Sequence, residues 1–371
     1  MRKYCIVLIL LAVFPFFIAC MPNKAVQTAA VAIDIEETVL EVAVASVVAE
    51  DVVEAEAIEV IEFQPIPVYE GDALPVSSFR EIWGYVIDGR EDAMRRNLPV
   101  SDIGYFGAGV STYGQLVGVP DRRKLANYPG RVHLVVVCEG RALSYFTLME
   151  GGAVRQKLIT DLIEATKPFD GLQIDFENVP ERARASFHSF LAELRAGLGS
   201  DKMFTIAIAA RTRTLENDVY DYAKISPMVD RMLIMAYDEH WSGSRPGPIA
   251  SMNWGRNVAT YALRVIGPDK LIMGLPFYGR SWADRSVAQA YVYNTVERIK
   301  REEHITDVRR ENGIPSFTYT TPITATVFYE DDISIATRLE IYSNMGVQAV
   351  GFWRIGQESP TVWNHMKLTP R

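Results

Sequence analysis

The sequence predicts an α/β chain: a (β/α)8 TIM barrel with a small α+β insertion between strands 7 and 8, preceded by an N-terminal signal and tether. Three observations carry this. Short apolar runs of strand length recur eight times between residues 81 and 354, with helical spacings between them. Residues 131–139 are a near-continuous run of Val and Leu, as in a strand buried on both faces. In the fourth run Leu172, Ile174 and Phe176 alternate with Gln173, Asp175 and Glu177. That period of two puts three polar side chains on one face. Asn178 to Pro180 then break the strand, so Glu177 ends it at a βα turn, the end of a parallel barrel that carries chemistry.

Taken in order, the chain begins with Arg2 and Lys3 and then an uncharged apolar run from Cys5 to Ile18, too short to span a bilayer as a helix. Ala19-Cys20 follows. Residues 1–19 resemble a bacterial lipoprotein signal of the looser, spirochaete type, with Phe17 where leucine is usual and Cys20 as the lipidated residue. An ordinary cleaved secretory signal is the alternative, and either one implies export. Residues 20–75 are rich in Val, Ala and Glu, and from residue 21 they hold twelve acids against one base, Lys24. No period persists there, so a solvated acidic tether is expected. Residues 76–371 are then left almost neutral. Neither a nucleic-acid partner nor an electrostatic funnel for substrate is implied, and a monomer is expected.

The barrel strands are expected at residues 81–87, 102–110, 131–139, 171–177, 203–210, 231–238, 271–280 and 347–354. Helical spacing is found over 154–166 and 257–266. From Glu181 onward, Phe187, Phe190, Leu191, Leu194 and Leu198 form one apolar stripe closed by Gly199, with His188 off the stripe as a surface residue. Residues 283–330 are too long for a simple βα loop. They read as the insertion, with a helix over 287–301 and strands over 316–320 and 324–329, and a last helix covers 332–344. Of the three cysteines, Cys5 and Cys20 are in the leader, and Cys138 reads as a small buried hydrophobe. The five histidines are scattered without metal-ligand spacing, and no cofactor motif is present, so neither metal nor cofactor is expected.

With the strands placed, Asp170-Gly171-Leu172-Gln173-Ile174-Asp175-Phe176-Glu177 resembles the fourth-strand signature DGxDxDxE of family 18 glycoside hydrolases, the chitinase-like enzymes. Met235-Ala236-Tyr237-Asp238 resembles the family's sixth-strand motif, residues 274–282 its seventh, and Gly351-Phe352-Trp353 its eighth. The phrase IDFENV is similar to the branch of spore-germination and cell-wall glucosaminidases. The resemblance implies hydrolysis of β-linked N-acetylglucosamine glycan, chitin-like or peptidoglycan, with retention and with the substrate's 2-acetamido oxygen as nucleophile. It makes Glu177 the general acid and base and Asp175 the partner of the acetamido nitrogen, whose negative charge keeps Glu177 protonated. Tyr237 and Asp238 would hold the sugar. Asp170, Gln173, Tyr85, Tyr278 and Arg280 would line the subsites, and Trp353 would stack under the ring. Core packing is the alternative for each aromatic. Gln173 stands where the family has Asp or Asn, and it cannot take up charge. A non-catalytic, chitinase-like lectin on the cell surface is the competing function, and the intact Glu177 favours catalysis.

Overall fold

A computed structural model of the chain describes residues 65–69, 73–95, 97–283, 286–320 and 323–370. The expected signal, Cys20 and most of the tether lie outside the described residues. Eight parallel strands form the barrel: β1 (Glu81–Ile87), β2 (Asp102–Val110), β3 (Arg131–Cys138), β4 (Gly171–Phe176), β5 (Met203–Ala209), β6 (Arg231–Met235), β7 (Leu271–Pro276) and β8 (Ala349–Trp353). Each pairs with the next, and β8 pairs back onto β1, so no edge is left open.

Helices α1 (Arg141–Leu148) and α2 (Ala153–Thr166) cross from β3 to β4, and α3 (Arg184–Leu198) follows β4. The apolar stripe of α3 is buried against the outward face of β4, where Phe176 stacks on Phe187 and Phe190 at centroid distances of 6.3 and 5.5 Å. Helix α4 (Met252–Ile266) starts five residues before the periodicity suggests, because the Ser251 side chain accepts from the Trp254 N–H and caps it. Between the strands and the helices lies the larger apolar layer. Trp83, Tyr85, Val135, Ala207, Leu233, Ile272 and Ala349 fill the barrel itself.

Ions close the amino end of the barrel. Arg131 bonds Asp102 at 2.6 and 2.9 Å and pairs with Glu81 at 3.1 Å. Arg231 bonds Glu81 at 2.8 Å, and His133 bonds Asp102 at 2.8 Å while stacking on Trp83. These partners hold the Asp102 carboxyl down near 2 although burial pushes the other way.

The chain departs from expectation at four places. The seventh barrel strand stops at Pro276, and Tyr278–Ala283 belongs to the insertion, as one strand of a five-stranded antiparallel sheet. The helix expected over 287–301 is half strand: residues Ser286–Val292 pair antiparallel with Tyr278–Ala283, and the helix, α5 (Tyr293–Glu302), is shorter. Helix α6 (Asp332–Asn344) then returns to β8, capped by Asp331 and Ser334. Contacts with the barrel also begin before residue 76, since Ile66 packs on the core and the Tyr69 hydroxyl bonds Glu340 on α6. Finally, His188 is half-buried, its ring bonded to the Val219 carbonyl at 2.9 Å.

Candidate active site

The inward face of β4 builds the site from its polar positions upward. Gln173 is fully buried and fixed twice: the Tyr85 hydroxyl donates to its Oε1, and its Nε2 donates to Thr205 Oγ1 at 3.1 Å. Gly104 makes room for Tyr85, since a Cβ there would lie 2.5 Å from the ring. Asp175, one step up the strand on the same face, is 7% exposed, and its Oδ1 is buried with no partner among the described residues. Burial, with the charges of Glu177 and Glu139, pushes the Asp175 carboxyl up to about 8. Asp175 therefore carries a proton at neutral pH.

Glu177 follows, half-buried, with its N–H donating to the Cys138 carbonyl at 2.9 Å. The Tyr220 hydroxyl brackets the turn, donating to the Phe176 carbonyl at 2.8 Å and accepting from the Val179 N–H at 3.0 Å. Asn178 between them is in the left-handed region, at φ 57°. Burial and then the charges of Glu139 and Asp238 raise the Glu177 carboxyl above its ordinary range. Burial thus favours a proton on both carboxyls, and the charges that add to this at Glu177 come from Glu139 and Asp238.

Asp238 hangs from the end of β6 at φ 57° and is held from the insertion, accepting from the Tyr278 hydroxyl at 2.7 Å and from Arg280 at 2.9 Å. Tyr237 lies edge-on to Tyr278 at 6.4 Å. Trp353, at the end of β8, is half-buried between Tyr85 at 5.6 Å and Phe106 at 5.0 Å. Tyr85, Gln173, Asp175, Glu177, Tyr237, Asp238, Tyr278, Arg280 and Trp353 are carried by barrel strands β1, β4 and β8, by the chain just past the carboxyl ends of β4 and β6, and by the insertion.

Asp170 is not with them. It precedes β4, and the strand's six residues put it ~20 Å from Glu177. There its carboxylate accepts from the Val132 N–H at 2.8 Å and braces β3 to β4, a structural role in place of the expected substrate contact. Glu139 was not singled out by the sequence reading. The available signal was an acid ending the Val-rich third strand at its carboxyl end.

Residues 127–358 match the family described as glycosyl hydrolases family 18. Among curated proteins, the chain is similar to the uncharacterized glycosylase YvbX of Bacillus subtilis, 27% identical over 59% of this chain and 67% of that protein. It is also similar to the cortical fragment-lytic enzyme of Bacillus anthracis, 23% identical over 58% of this chain but only 54% of that protein. Among solved structures, the Bacillus cereus spore cortex-lytic enzyme SleL superposes with a TM-score of 0.72 at 22% identity, covering 79% of this chain and 76% of that one. The class V chitinase of Nicotiana tobaccum gives 0.63 at 15% identity, covering 76% of this chain and 96% of its own, a likeness of fold. With the barrel and the matched segment spanning the loops of β3 to β8, this chain belongs to the family 18 glycosyl hydrolases.

Proposed function

We propose that this chain is a retaining glycoside hydrolase that cleaves β-linked N-acetylglucosamine-containing glycan with the help of the substrate's own acetamido group. The observation that supports this best is the buried, unpartnered Oδ1 of Asp175 one strand position below Glu177. A buried acceptor without a partner costs on the order of 1–3 kcal/mol, and an acetamido N–H is a donor that would remove this cost. Glu177 donates its proton to the glycosidic oxygen as the bond to the anomeric carbon breaks. The acetamido carbonyl oxygen attacks that carbon from the other face, and positive charge spreads onto the acetamido group. Asp175 Oδ1 accepts a hydrogen bond from the acetamido N–H as that charge develops. Glu177, now a carboxylate, takes a proton from water, whose oxygen attacks the same carbon as its bond to the acetamido oxygen breaks, which regenerates the acetamido group and restores the configuration.

The relatives' names, with lysis of spore cortex in two of them, support a bacterial wall glycan over chitin as substrate. The leader and Cys20 support an exported enzyme held at the bacterial membrane by a lipid, on its periplasmic or cell-surface side. The chain and its Glu177→Gln variant, incubated with N-acetylglucosamine oligomers and with purified peptidoglycan, test this by the appearance of reducing ends. Cleavage by the parent alone is expected. Binding without cleavage by both proteins would instead establish a lectin.

A further inference from the structure

Beside the catalytic turn is a cavity of about 780 Å³ lined by Arg141, Pro180, Glu181, Arg182 and Arg184 among others. It lies between the start of α1, directly after β3, and the chain that leaves β4. Pro180 is three residues past Glu177, at most ~10 Å away along an extended chain. Arg141 is two residues past Glu139, whose charge acts on Glu177. The cavity therefore opens beside the site.

Three arginines and one acid line it, and none of the three arginines forms an ion pair among the described residues. Two of them are nonetheless held in place: Arg182 lies 4.0 Å over the Tyr145 ring, and Arg184 donates to Asn217 at 2.8 Å. Arginine in a fixed orientation presents a fork that fits carboxylate oxygens. Arg141 and Arg184 also open α1 and α3, helices with no acid in the first turn and no side-chain cap. Positive side chains at a helix amino end oppose the helix dipole, and a bound anion would reverse that cost.

We infer that this arginine-lined cavity binds a carboxylate carried on the glycan, as on a short peptide branch, so that the protein prefers acidic, peptide-bearing glycan over neutral N-acetylglucosamine polymer. This rests on the hydrolase reading for the glycan's path past Glu177, but its test does not require turnover. The full chain carrying Glu177→Gln is titrated with peptide-bearing peptidoglycan fragments and with the same fragments stripped of peptide. Binding roughly tenfold tighter to the first is expected, and adding Arg141→Gln and Arg182→Gln should bring the ratio to about one, with the urea midpoint unchanged as a check on folding. A ratio near one before those substitutions, or a ratio that survives them, overturns the inference. Inorganic phosphate and acetate are compared as competitors. If phosphate alone erases the preference, the cavity is a phosphate site and the carboxylate assignment falls. Should the parent cleave no glycan, the hydrolase reading fails while the ratio still decides this one.

Discussion

Asp175→Asn offers a test of the site's electrostatics that needs no substrate. In the folded chain Asp175 titrates near 8, against an ordinary 3.8. A carboxyl whose pKa is raised by folding contributes its stability below the unfolded pKa and loses it as pH rises toward the folded one. At pH 7 the unfolded chain has released this proton and the folded chain has kept it. Proton uptake across that gap costs about 4 kcal/mol at pH 7 and about 1 kcal/mol at pH 4.5. Asparagine cannot ionise, so the variant should gain on the parent by about 3 kcal/mol between those two pH values. With a urea dependence of about 3 kcal/mol per M, the difference in unfolding midpoint should grow by roughly 1 M. Groups that do not interact with Asp175 are common to both proteins and cancel in the comparison. A midpoint difference that is the same at both pH values would refute the claim that burial holds a proton on Asp175.

Three further outcomes are expected. Gly104→Ala forces the Tyr85 ring away from a Cβ that would lie 2.5 Å from it, so stability should fall by about 1–3 kcal/mol in urea unfolding, and glycan turnover should fall as Gln173 loses its hydroxyl donor. Asp102→Ala leaves His133 without its carboxylate and Arg131 with Glu81 alone at the closed end of the barrel and should cost about 3–5 kcal/mol by the same measurement. The proposed mechanism needs Glu177 protonated and its carboxyl is raised, so turnover should decline as pH rises through its pKa. Removing the charge with Glu139→Gln should move that decline to lower pH, read from the pH profile of kcat/KM.

All eight barrel strands could be read from the sequence because parallel strands covered on both sides must be apolar almost throughout, and little else produces such runs. The fourth strand was the clearest, since Phe176 and its alternating neighbours separate a helix-facing side from a barrel-facing one. What failed depended on pairing between distant segments. Residues 287–292 read as helix, yet their amides are taken up by Tyr278–Ala283 in an antiparallel ladder that no local pattern announces. The extent of β7 was overrun for the same reason, since apolar residues continue past Pro276 into a different sheet. Within the site, Asp170 was grouped with Glu177 because both belong to one motif, although a whole strand lies between them. Glu139 went unnoticed because its influence on Asp175 and Glu177 comes through space from the adjacent strand.

The split of that seventh segment bears on how far the insertion can be treated as a separable module. Tyr278 and Arg280, which clamp Asp238, sit on an insertion strand that leaves β7 after a single residue, Phe277, whose N–H is itself bonded to the Trp353 carbonyl at 2.7 Å. The same strand is hydrogen-bonded on both sides, to residues 286–292 and to 325–328. A loop graft that exchanged the whole insertion would therefore take two hands off the Asp238 carboxylate along with the sheet. A chimera that keeps residues 277–280 and replaces only the outer part, from α5 through the hairpin over 309–320, would change the wall of the cleft while leaving the clamp in place. Variation among relatives in what borders the substrate would then be tolerated in the outer strands and resisted in these four residues.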